Sequence, residues 1–182
     1  MSPRKRLVIT GGPGAGKSSL VDALAAQGWR VYAEAGRAIM LLQEAVDGPA
    51  HPSRDPAAYA EAMLLWDMRS FQESLAATTH CIFDRGIPDT IGYLRLIGRP
   101  VPPHMLRAAK RMRYDDPVVV APPWRAIYRN DAERSQDFAE AEATHAAVTS
   151  AWRELGYRLV DLPLADIAER CKFIADIAGD AG

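Results

Sequence analysis

Cysteine is nearly missing from this chain: Cys81 and Cys171 are its only two, and they lie far apart. They form neither a metal-ligand spacing nor a disulfide framework, and a reducing cytoplasm suits them. The four histidines, His51, His80, His104 and His145, show no ligand spacing either and are assigned no chemistry. No apolar run approaches the ~20 residues needed to cross a bilayer, so no membrane association is expected. The basic start Met1–Arg6 runs straight into a short apolar segment; it lacks the apolar region and cleavage site of a signal peptide. A formal net charge of −1 gives no broad basic field, so nucleic-acid binding is not expected. Lysine is scarce as well, with 18 of the 22 basic residues being arginine. Base composition of the genome accounts for much of that, as the many alanines suggest, although arginine also suits phosphate recognition. Internal repeats, low-complexity tracts and long linkers are lacking too. With 48% hydrophobic and 25% charged residues, the 182-residue chain reads as one domain, 1–182, large enough for a real core.

What is present is concentrated near the start. Gly11-Gly12-Pro13-Gly14-Ala15-Gly16-Lys17-Ser18 fits G-x-x-x-x-G-K-[ST] without a mismatch. Leu7-Val8-Ile9-Thr10 before it is a short β-prone run, and Ser19 to Ala26 after it carries apolar residues at helical spacing. Strand, glycine loop and helix is the context that separates a phosphate site from a glycine-rich turn with a chance lysine. Glycines let successive backbone N–H groups converge on one anion, because no Cβ blocks the approach. The following helix adds its first amides and the positive end of its dipole. Lys17 would reach the β- and γ-phosphates and Ser18 would ligate Mg²⁺.

Strand-like runs alternate with helical ones along the rest of the chain. Strands are expected at Arg6–Thr10, Arg30–Ala33, His80–Asp84, Val118–Ala121 and Tyr157–Leu162. Helices are expected at 18–27, 36–46, 56–78, 103–113, 135–155 and 165–178, with Asp55 capping the third and Gly28 and Gly156 stopping two others. This alternation argues for an α/β fold with a parallel sheet and helices on both faces.

A phosphate loop needs a magnesium partner at a neighbouring strand end. Asp84 follows an apolar run and precedes Arg85-Gly86, where the chain would turn at the ligand-binding edge of the sheet. Asp161 is the alternative, but Leu162 and Pro163 continue the strand beyond it, so Asp84 is preferred. Arg85 would face the same pocket and clamp an acceptor or a transferring phosphoryl group; its bland role is a structural ion pair. Glu34 ends the second strand and would orient or deprotonate an acceptor hydroxyl, unless it merely starts a helix. Arg37 would hold the acceptor or pair with Glu34. Trp124 to Arg134 carries Arg125, Arg129 and Arg134 and reads as a lid (124–136) that closes over phosphates and excludes water, against the plainer reading of a solvated helical face. The basic run Arg107, Lys110, Arg111 and Arg113 reads as a solvated face. Met63, Leu64, Trp66, Met68 and Phe71 read as core, some of them candidates to line an acceptor pocket.

The glycine loop, Glu34-Ala35-Gly36-Arg37, Asp84-Arg85-Gly86-Ile87-Pro88-Asp89-Thr90 and the arginine segment, in that order, resemble a bacterial family of small P-loop proteins labelled AAA-domain ATPases. That group is similar to the ribosylnicotinamide kinase domain and, more distantly, to deoxynucleoside and nucleotide kinases; the resemblance covers Leu7 to about Ile177. It implies a three-layer α/β/α sandwich with strand order 2-3-1-4-5. It implies ATP and Mg²⁺ as cofactors, bound over Gly11, Gly12, Pro13, Gly14, Ala15, Gly16, Lys17, Ser18 and Ser19, with Ser18 and Asp84 at the metal. It also implies an adenine pocket around Pro163, Arg125 and Arg129 in the lid, and Glu34 as base. No Asn/Thr-Lys-x-Asp motif for guanine occurs, which favours ATP while GTP stays open. The expected activity is transfer of the γ-phosphoryl of ATP to a small-molecule hydroxyl, nucleoside-like by analogy; a nucleotide switch acting on a protein partner is the alternative. A monomer or a homodimer is expected.

Overall fold

A computed structural model describes residues 4–127 and 138–179. Five strands, β1 (Arg6–Gly11), β2 (Arg30–Tyr32), β3 (Cys81–Asp84), β4 (Val118–Ala121) and β5 (Leu159–Asp161), form one sheet in the order β2-β3-β1-β4-β5. Every pairing is parallel, as expected. Seven helices occur among the described residues: α1 (Lys17–Ala26), α2 (Ala35–Ala45), α3 (Pro56–Ser74), α4 (Ile87–Leu96), α5 (Pro103–Arg111), α6 (Phe138–Glu154) and α7 (Ile167–Ala178).

The period-2 alternation of β1 sorts the layers. Leu7 and Ile9 join Ile82, Val119 and Ala121 under α1 and α7, where Leu20, Leu24, Cys171 and Ile174 complete one core. Val8 points the other way, with Cys81, Phe83 and Val118, against Phe71 of α3, Tyr114 and Trp152 of α6. Each fully buried aliphatic side chain in these layers contributes about 1.5–3 kcal/mol. The result is the expected three-layer α/β/α sandwich.

Differences from the sequence expectation have local causes. Helix α4 is not among the helices expected. Ile87, Pro88, Asp89, Thr90, Ile91, Gly92 and Leu94 are all buried, so no polar face marks a helical period. The expected helix 56–78 ends at Ser74, and 103–113 ends at Arg111. Helix α7 begins at Ile167 rather than at 165, because the Asp166 carboxylate caps it, accepting the Glu169 N–H at 2.9 Å. Residues 135–137 of the expected sixth helix lie outside the described residues.

Register brings the chemistry to one edge. Ile9 pairs with Asp84 and Gly11 with Ala121, so the loop after β1 leaves the sheet between the C-terminal ends of β3 and β4. A Cβ on Gly11 would stand 2.3 Å from the Ala121 carbonyl oxygen, which leaves room for glycine alone. Helix α1 then starts from Gly16, at φ 75°, with no side chain capping its N-terminus. Its first amides therefore have no side-chain acceptor of their own.

Candidate active site

Lys17, although its side chain is buried, donates from Nζ to the carbonyls of Gly12 at 2.7 Å and Gly11 at 3.3 Å. Burial, helped by the Arg85 charge, lowers its pKa to about 8, against the opposing pull of Asp84, Glu34 and Asp89. Gly11, Gly12 and Ala15 are buried in the loop, Pro13, Gly14 and Gly16 half-buried, and Ser18 and Ser19 exposed at the start of α1.

Asp84 ends β3 and is buried. Its Oδ1 has no hydrogen-bond partner among the described residues. Burial raises its pKa to about 6, opposed mainly by Lys17. A buried carboxylate oxygen left without a partner beside a phosphate-type loop suits a hard cation. Magnesium fits this donor set, because it takes one or two carboxylates or hydroxyls and leaves the rest to phosphate and water. No cluster of three or more His, Cys, Asp or Glu that could hold a metal occurs among the described residues. Asp161, the alternative, is exposed on edge strand β5.

Arg85 adopts φ 73°, left-handed for a residue that is not glycine. Such a backbone costs about 1–3 kcal/mol and points to a constraint elsewhere. Its N–H donates to the Ile9 carbonyl at 3.0 Å, anchoring the turn to β1. Its Nε then donates to Glu34 Oε1 at 2.9 Å and its Nη1 to Asp89 Oδ1 at 3.4 Å. Burial opposes the charge, but Glu34, Asp89 and Asp84 outweigh it and hold the guanidinium charged, its pKa above the usual range. Glu34 sits just before α2 and is only half-buried. The two lie 51 positions apart in sequence, and the β2-β3 pairing brings them together. Arg37 is exposed in the first turn of α2.

Sequence reasoning assigned no role to Asp89, which organises this corner. Its Oδ1 accepts from Thr10 Oγ1 and its Oδ2 from Trp152 Nε1 at 2.9 Å and Gly86 N at 3.1 Å. Burial raises its pKa while Arg85 and these donors oppose the rise. Beside it, burial pushes the Asp67 carboxyl of α3 well above the carboxylate range, with Asp89 and Glu34 adding to the effect. Burial likewise raises the Tyr59 phenol, with Glu34 second. Burial thus works against ionisation at Asp67 and Tyr59, beside an arginine whose charge is favoured. Asp67 was visible in the sequence only as an acid in the apolar stripe Met63, Leu64, Phe71 of α3.

On the other side of the loop, Arg125 is exposed after β4, its guanidinium carbon 4.2 Å from the Phe138 ring centre. Arg129 and Arg134, with the expected lid from residue 128 onward, fall outside the described residues. Pro163 follows β5, and its carbonyl accepts from Arg170 Nε at 2.9 Å.

The family model described as "AAA domain" matches residues 6–170. This chain belongs to the AAA-domain family. No curated protein matches the sequence. Among solved structures, NadR protein in complex with NR aligns with the AAA-domain chain at TM-score 0.74 and 17% identity, covering 97% of this chain and 51% of that one. NadR with NAD and AMP-PNP aligns at TM-score 0.70 and 17% identity, over 97% and 50%. Deoxyadenosine kinase from M. mycoides with bound dATP aligns at TM-score 0.64 and 12% identity, over 96% and 99%. At these identities the likeness is one of fold alone. The AAA-domain chain spans about half the length of the NadR structures.

Proposed function

We propose that this chain is a phosphotransferase that moves the γ-phosphoryl group of MgATP to a hydroxyl of a small, nucleoside-like molecule. The observation that carries the reading is Arg85: a left-handed, half-buried arginine held between Glu34 and Asp89, next to Asp84 and Lys17. A purely structural ion pair needs no such backbone.

Gly11 to Ser19 would hold the triphosphate, Lys17 neutralising its β- and γ-oxygens. Ser18 and Asp84 would hold Mg²⁺, which supplies charge neutralisation on the phosphates. Pro163 would border the base, and Arg125, with Arg129, would close over the phosphates. Glu34 would take the proton from the acceptor hydroxyl. The acceptor oxygen forms the new bond to the γ-phosphorus as the bond to the bridging oxygen breaks, and ADP leaves with that electron pair. Arg85 would hold Glu34 in place and face the charge that develops on the moving group. Positioning and electrostatics supply most of the rate gain. The NadR structure in complex with NR and the deoxyadenosine kinase structure with bound dATP support a nucleoside-like acceptor by analogy of fold.

The test is phosphoryl transfer from γ-labelled ATP to a panel of nucleosides and a metabolite extract. Label should appear in a low-molecular-weight product, and should not with Lys17→Ala. Label released only as inorganic phosphate, whatever small molecule is added, rules the reading out.

A further inference from the structure

Arg170 breaks the pattern of its helix. It occupies the apolar stripe of α7 with Cys171, Ile174 and Ala178, and it is 1% exposed. Its Nε donates to the Pro163 carbonyl at 2.9 Å and its Nη1 to the Ala15 carbonyl at 3.1 Å. Its guanidinium carbon lies 4.6 Å from the Trp124 ring centre. Its Nη2 is buried without a hydrogen-bond partner, and no carboxylate pairs with it, among the described residues. Burial alone pulls its pKa below the usual guanidinium range. A buried cation with no counter-charge is costly, and an apolar residue in the stripe would avoid the cost.

Its location gives the charge a purpose. Ala15 and Gly16 form the last peptide of the glycine loop before Lys17, and a Cβ on Gly16 would stand 3.0 Å from Arg170 Nη1 and 3.1 Å from Ile127 Cδ1. In a trans peptide the carbonyl and the next N–H point opposite ways. Drawing the Ala15 carbonyl toward Arg170 therefore turns the Gly16 N–H away from it. The same guanidinium ties down the loop after β5 through Pro163 and the segment after β4 through Trp124.

We propose that Arg170 is a positioning residue of the donor-nucleotide site, fixing the Ala15–Gly16 peptide for anion binding and leaving the bound nucleoside triphosphate to supply its counter-charge. This rests on the donor site described above. It deepens that reading by adding a second cation on the loop, at the Ala15 carbonyl where Lys17 takes those of Gly11 and Gly12, and Trp124 as its reporter.

Calorimetry with MgATP on the folded full chain tests the proposal. Arg170→Met should weaken binding about tenfold or more, while the nucleotide-free protein melts within a few degrees of the parent. Arg170→Lys, which keeps the charge but not the fork, should fall between them. In Arg170→Ala, added methylguanidinium should recover part of the affinity, which a merely structural loss would not allow. MgATP should change tryptophan emission, and Trp124→Phe should remove that response while Trp29, Trp66 and Trp152 remain. If Arg170→Met does not fold, Arg170→Gln removes the charge and keeps one donor. Parental MgATP affinity in folded Arg170→Met or Arg170→Gln overturns the proposal. A parent chain that binds no MgATP overturns the donor site itself, a distinguishable result.

Discussion

The two sides of the glycine loop are built from different materials. The proposed donor side is mostly backbone: glycines at Gly11 and Gly16, uncapped amides of α1, and carbonyls held by Lys17 and Arg170. The proposed acceptor side is mostly side chain: Glu34, Arg85 and Asp89, with Asp67 and Tyr59, whose ionisation burial disfavours, around them. A backbone cradle suits a ligand that is always a polyphosphate. A side-chain cluster can be retuned residue by residue, and that suits the half of the reaction in which related folds differ.

The largest effect should come from Lys17, the cation that the proposed function places on the phosphates themselves. Lys17→Ala should lower turnover by about 10³-fold or more. Because burial already disfavours its charge, unfolding by urea should show little loss of stability. Turnover within tenfold of the parent would break the comparison at its first step. Glu34→Gln should lower acceptor-dependent turnover by about 10²-fold and change calorimetric MgATP affinity only a few-fold. Equal losses in both would mean that the two sides are not separate. Asp89→Asn turns one of the two oxygens that together accept from four donors into an NH2 donor, and should cost about 2–3 kcal/mol in urea unfolding. A neutral outcome would show that the acceptor side is not held together by this carboxylate.

The smallest effect is on pH dependence. Asp84 must be ionised and Lys17 charged for MgATP to bind, so the rate at limiting ATP should fall below pH about 6 and above pH about 8. Each limb should approach about tenfold per pH unit. Asp84→Asn should remove the acid limb, and a flat profile from pH 5 to 9 in the parent would contradict it. Stability runs the other way at low pH. The folded chain holds the Asp84 proton longer than the unfolded chain, whose carboxyl has the ordinary value of 3.8. Without Mg²⁺ and nucleotide, stability should therefore decline as pH rises from 3.8 to about 6, which thermal melts across that window would show.

Much of the fold was legible because the five strands carry their own signal. Short β-prone runs between helical stretches placed every strand to within two residues at each end, and the match to G-x-x-x-x-G-K-[ST] located the loop. Glu34, Asp84 and Arg85 were legible as polar residues at strand ends, which a parallel sheet gathers at one edge. Helix α4 was not, because Ile87 to Gly92 are all buried and show no amphipathic period. Asp89 went unassigned with it, although an acid just after Pro88 at a helix start was a usable signal. Asp67 and Arg170 belong to a third kind. Each sits in an apolar stripe and contradicts it, and such local contradictions mark places where function overrides packing. Much of what surrounds them comes from elements remote in the chain, Ala15 and Trp124 at Arg170 and Asp89 and Glu34 near Asp67, so no local pattern could supply it.

The enclosure of α4 also bears on how this protein would fail. Arg85 and Asp89 flank the first turn of a helix packed against α3, α5 and α6. Its amides should exchange with deuterium only when the whole molecule opens, so heat or denaturant should abolish activity along the same curve that reports global unfolding, with no prior softening of the acceptor corner.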